Sequence, residues 1–233
     1  MKQIYFHILI ISAVCVSSFA CAQNNGFTNR KEAKNKTING LKEGKWFEYL
    51  NGDGITNDSS KASFYSLTIY LHGKPTGMVR VYYLLSGKIE SENPYVNGKE
   101  NGVEKQYYQS GQLQFVRTYV DDKENGTELQ YDQQGKVVHE VPFVNDTVNG
   151  TIKEYYDNGT LKYEFPHIRG KANGVSRGYY ESGKLKWEKP YSNNFENGIE
   201  KQYYEDGKLK AEAIYIYGEN RAIKKYDEQG NQI

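Results

Sequence analysis

Few side chains in this chain stand where chemistry could use them. Beyond residue 22 there are three histidines, His72, His139 and His167, and no cysteine. His139 lies four residues past Gly135 and His167 eight past Gly159, so they share strand parity but occupy non-equivalent places. A zinc centre takes three or four protein ligands, and this set is too sparse; ordinary sheet-surface histidines are expected, with no metal and no cofactor. Glu92, Glu140, Glu164, Glu188 and Glu212 also recur, and a carboxylate pair can act as acid and base on a glycosidic bond. A catalytic pair is singular, with one member in a special environment, whereas this glutamate recurs in five copies. An ion-paired, solvated face is therefore the better reading. No phosphate loop is present and no serine elbow is recognised, so no catalytic residue is nominated and the chain is not read as an enzyme. The remaining candidates are aromatic: Tyr108, Tyr156, Tyr180, Tyr204 and Trp187. Each has an apolar ring for stacking and a polar edge for a hydrogen bond, which suits a protein partner first and a cell-wall glycan second.

The elements that position these residues begin with a leader. Lys2 precedes an apolar run from Ile4 to Val16 and the small residues Ser17, Ser18 and Ala20, the pattern of a secretory signal over residues 1–22. Ala20-Cys21-Ala22 fits a peptidase site, while Ser18-Phe19-Ala20-Cys21 resembles a bacterial lipoprotein box. Cys21 is thus the candidate lipid attachment, and residues 23–39 read as a polar tether. The chain is expected to be exported: periplasmic or anchored at the outer membrane as a lipoprotein, otherwise secreted. Without Lys2, 29 basic residues balance 29 acidic ones. That neutrality leaves no basic patch for nucleic acid and no basic amphipathic face for lipid. Any membrane contact must come through Cys21.

From residue 40 a period takes over. Gly102, Gly126, Gly150, Gly174 and Gly198 are spaced by 24 residues, with Gly77 and Gly44 upstream and Arg221 in the anchor place downstream, about eight units in all. Five residues after each anchor stands a tyrosine: Tyr49, Tyr82, Tyr107, Tyr131, Tyr155, Tyr179, Tyr203 and Tyr226. A second tyrosine follows as Tyr83, Tyr108, Tyr156, Tyr180 and Tyr204, interrupted by Leu50, Asp132 and Asp227. Then come turns such as "QSGQ", "DNGT" and "EDGK", whose glycine supplies a positive φ. After the turn, side chains alternate with period two, which means strand. A lone hairpin is marginal in water, so the units must stack. The expected fold is all-β: an elongated single-layer antiparallel meander of tandem β-hairpins over residues 40–233, about sixteen strands, with an aromatic ladder on each face and an irregular cap from Gly44 to Gly77.

The segments "NGVEKQYYQSGQLQ", "NGTIKEYYDNGTLKYE" and "NGIEKQYYEDGKLKAE" resemble the bacterial variant of the MORN repeat. "EGKWFEYLNGDG", from Glu43 to Gly54, is closer to the standard MORN form. The resemblance spans about residues 40–233 and departs at Asp132, Arg221 and the insert from Ile55 to Thr76. It implies a hairpin array used as a binding scaffold, antitoxin-like or immunity-like in bacterial relatives, with no catalytic residues to carry over.

Overall fold

The computed structural model describes residues 26–233; the leader and Cys21 lie outside the described residues. Among the described residues the chain forms one antiparallel sheet in which each hairpin pairs with the next along the sequence. The repeats give the hairpins Gly102–Tyr107 with Leu113–Val120, Gly126–Tyr131 with Val137–Val144, Gly150–Tyr155 with Leu161–Ile168, Gly174–Tyr179 with Leu185–Ser192, and Gly198–Tyr203 with Leu209–Ile216. The single-layer meander is therefore as expected. Its strands number 22 instead of sixteen, chiefly because each repeat's first strand breaks before its anchor glycine, leaving a two-residue piece such as Lys123–Glu124 or Phe195–Glu196.

Local chemistry explains the break. Gly198 has φ 129°, and a Cβ there would lie 2.7 Å from Pro190 Cγ on the neighbouring strand. Only glycine tolerates both the dihedral and the approach. Where Arg221 replaces it, the strand runs unbroken from Glu219 to Lys225. The hairpins reverse at both ends. The glycine turn closes one end, and a two-residue turn closes the other, as at Asp121-Asp122 (φ 52° and 68°), Asn145-Asp146 (49° and 63°) and Asn193-Asn194 (51° and 75°). Positive φ at both central residues marks the type I′ turn, whose twist matches that of the strands it joins.

The N-terminal region differs from its expectation in two ways. The stretch from Gly44 to Gly77 is largely regular: Phe64–Leu71 pairs with both Leu41–Asn51 and Lys74–Tyr83. The segment expected as a tether docks in part. Lys36–Ile38 pairs with Leu41–Glu43, and Phe27 is buried with Leu67 and Tyr82 against Phe47, Tyr65, Ile69 and Ile89. Among the described residues that cluster is the compact apolar core. A polar composition hid Phe27, because a single apolar residue carries no periodic signal.

Candidate binding surface

The paired tyrosines are positioned by strand parity and by a bulge. In each repeat the register slips one residue before the first tyrosine, as between Gln106 and Tyr107 or Glu154 and Tyr155. The first tyrosine then reaches back into the preceding unit. Tyr107 donates to Glu92 at 3.0 Å, Tyr155 to Glu140, Tyr179 to Glu164 and Tyr203 to Glu188, each at 2.9 Å. Burial, reinforced by the carboxylate, pushes the hydroxyls of Tyr155 and Tyr203 up to about 12. This revises the reading of the glutamate column. Some members do carry ion pairs, Glu140 with Lys153 at 3.5 Å and Glu164 with Arg177 at 3.3 Å, but their shared role is to accept the next unit's tyrosine.

The second tyrosine, the nominated binding column, reaches forward. Tyr108 donates to the Tyr131 carbonyl at 2.8 Å, Tyr156 to that of Tyr179 at 2.8 Å, Tyr180 to that of Tyr203 at 2.8 Å and Tyr204 to that of Tyr226 at 3.0 Å. Tyr83 does the same to Tyr107 at 3.1 Å. The rings are half-buried, and lysines lie over three of them: Lys162 at 5.9 Å from the Tyr156 centroid, Lys186 at 5.3 Å from Tyr180 and Lys210 at 5.5 Å from Tyr204. A hydroxyl already bonded to backbone and a ring lidded by ammonium leave little for a partner. The structure thus places Tyr108, Tyr156, Tyr180 and Tyr204 in one equivalent set, with inter-unit clamping as its evident work.

Trp187 stands apart from that set, in the column of Phe115, His139, Tyr163 and Ala211. It is paired across the strands with Gly178, and a Cβ on Gly178 would lie 2.2 Å from its Nε1. The indole lies over the glycine, filling space that a side chain takes in other units. The same strand contains Gly174-Val175-Ser176-Arg177-Gly178, a G-x-S-x-G string that the sequence reading passed over. It is no nucleophile elbow, which needs an exposed serine on a strand-to-helix turn. Ser176 is 3% exposed, sits mid-strand and donates to the Glu164 carbonyl at 3.0 Å.

On the face that bears Gln106, Phe115 and Arg117, the interior changes along the array. Between the units of Gly102 and Gly126 it is acidic: Glu100, Glu104, Glu124 and Glu128 surround Arg117, which pairs with Glu128 and lies 3.8 Å from Glu124. Burial pushes the Glu104 carboxyl up to about 7, against the pull of Arg117. Farther on the interior is apolar, with Val141 and Ala172 buried and Phe165 edge-on to His167 at 4.6 Å. Beyond it, Lys189 bridges Glu196 at 2.9 Å and Glu200 at 3.2 Å. The histidines are dispersed: His167 Nδ1 lies 3.0 Å from the Phe165 carbonyl, and His72 is on a turn 3.7 Å from Glu43.

Sequence reasoning missed an exposed apolar row. The last residue of four of the five long repeat strands is β-branched and exposed: Val120 is 38% exposed, Val144 44%, Ile168 54% and Ile216 45%. Ser192 interrupts the row, but its cross-strand partner Phe195, 53% exposed, supplies the apolar group instead. The signal was available in "YVDD", "FVND" and "YIYG", where a β-branched residue precedes each positive-φ turn every 24 residues.

A family model described as MORN repeat variant matches residues 100–121, 124–145, 148–168, 172–193 and 196–217. No curated protein matches the chain significantly. The five tandem matches coincide with the five glycine-anchored hairpins, and the chain belongs to the MORN-repeat family, in its variant form.

Proposed function

We propose that this chain is a non-catalytic scaffold that binds a protein along the apolar row from Val120 to Ile216. The exposure of one large apolar side chain per unit, in register over five units, carries the reading. Contiguous exposed apolar surface is costly to leave in water and marks association sites, and a stacked array offers such a row to an extended partner. A glycan reader would instead want free aromatic faces and hydroxyls, which the clamped tyrosines do not offer. In this reading the partner is a toxin-type effector and the chain its immunity component, a proposal supported by the resemblance of the repeats to the bacterial variant. Export and anchoring through Cys21 belong to the same proposal: a lipid-tethered array holds its surface at the envelope.

Crosslinking in the native cell followed by mass spectrometry tests the partner. Val144→Asp with Ile168→Asp, on exposed positions that leave the fold intact, should abolish the crosslinked product. Unchanged capture by this double variant would remove the row from the interface. Radiolabelled palmitate should label the wild type and not Cys21→Ala.

A further inference from the structure

Among the described units from Gly77 onward, the clamping pattern fails at one internal junction, and the failure has a shape. Asp132 occupies the place of the second tyrosine in the unit of Gly126. Its carboxylate turns back on its own turn, accepting from the Gln134 amide at 2.9 Å and the Lys136 amide at 2.8 Å. Asp227 makes the same turn in the unit of Arg221. At Asp132 a further unit follows. The carbonyls of Tyr107, Tyr131, Tyr179, Tyr203 and Tyr226 each receive a tyrosine hydroxyl; among the described residues, that of Tyr155 does not. The residue that corresponds to the lid lysines Lys162, Lys186 and Lys210 is Val138, which has no ring of its own unit to cover.

A pocket of about 670 Å³ opens at this junction, lined by Gln130, Val138, His139, Glu154, Tyr155 and Tyr156 among others. These are the groups that would surround a ring projecting from position 132 toward the Tyr155 carbonyl. We infer that this pocket is a binding site for a phenol, whose ring packs on Val138 and His139 while its hydroxyl donates to the Tyr155 carbonyl. The five internal examples define the chemistry: a planar ring of tyrosine size with one donor at its far edge. The volume exceeds that of one ring and has room for the group that carries it. Phenols reach the site from two sources, a tyrosine of another polypeptide or a small free phenol. The site is independent of the apolar row.

The test is titration of the folded chain with N-acetyltyrosinamide, p-cresol and N-acetylphenylalaninamide, followed by amide chemical shifts. Saturable shifts are expected at Val138, His139 and Tyr155, with dissociation constants on the order of millimolar, as befits so small a ligand. The phenylalanine probe, lacking the hydroxyl, should bind at least fivefold more weakly. Tighter binding of the tyrosine amide than of p-cresol assigns the site to a peptide; equal binding assigns it to a free phenol. Asp132→Tyr supplies the ring internally, completes the family pattern and should weaken the tyrosine probe at least tenfold without loss of fold. Absence of saturable shifts in the wild type, or unchanged binding in Asp132→Tyr, overturns the inference. Neither result bears on capture by the apolar row, which Val144→Asp with Ile168→Asp reads separately.

Discussion

The units anchored at Gly126 and Gly174 share a backbone but not a bonding scheme. The Gly174 unit is tied on both sides: Tyr179 donates back to Glu164, its own carbonyl accepts from Tyr156, and Tyr180 donates forward to Tyr203. Its interior is small and neutral, with Ser176 and Ala172 buried. The Gly126 unit lacks two of those ties. Val116 stands where the accepting glutamate should be, so among the described residues the Tyr131 hydroxyl has no carboxylate, and Asp132 ends the forward clamp. In compensation Glu128, 6% exposed, is held by Arg117 and by Gln130 at 2.7 Å. The repeat thus fixes the geometry of a junction, while its strength is set unit by unit, since stability in such arrays is a sum of local and nearest-neighbour contributions. Hydrogen exchange, which reports opening region by region, should find the Gly126 unit opening before the Gly174 unit.

The largest change expected is at Gly178. Gly178→Gln gives the Gly174 unit the residue found at Gln130, but the new side chain meets Trp187 across the strands. Overpacking of this kind costs about 1–3 kcal/mol, visible as a lower urea midpoint and faster exchange at Tyr179. An unaltered midpoint would mean that the indole moves aside freely.

The acidic interior gives the next effect. The folded-state carboxyl of Glu104 is raised by burial to about 7 from an ordinary 4.5, so between those values the folded chain binds more protons than the unfolded one. The contribution of Glu104 to stability is then greatest below about 4.5 and declines as pH rises toward 7. Glu104→Gln should flatten this slope in thermal melts and be the more stable protein at pH above about 7. An unchanged pH dependence in Glu104→Gln would refute the assignment.

Two smaller changes move the units toward each other. Tyr180→Phe removes one forward clamp and should destabilise by about 0.5–1.5 kcal/mol, with faster exchange confined to the hairpin of Tyr203. Val116→Glu returns the missing acceptor to Tyr131 and should stabilise the Gly126 unit by at most about 1 kcal/mol, read as slower exchange at Tyr131. If exchange at Tyr131 were unchanged, the hydroxyl–carboxylate bond would not be what separates the two units.

Much of this was legible in one dimension. The 24-residue period, the paired tyrosines and the glycine turns announced hairpins in tandem, because strand parity and positive φ are properties of short stretches. Asp132 was visible as a departure, though its consequence was not. The exposed row from Val120 to Ile216 was also written in the period, but one apolar residue at a strand end looks the same in sequence whether it is covered or bare. The docking of Phe27 on Leu67 and Tyr82 carried no signal, since its partners lie 40 and 55 positions away.

The sequence alone determined that the chain is a repeated β-hairpin array and which residues are equivalent, because backbone dihedrals and side-chain alternation are decided locally. Tertiary structure alone decided what each equivalent residue does. Whether a tyrosine hydroxyl meets a carboxylate, a carbonyl or an open pocket depends on the register and bulge of a neighbouring unit, and a hydrogen bond forms only when both partners arrive within about 3 Å.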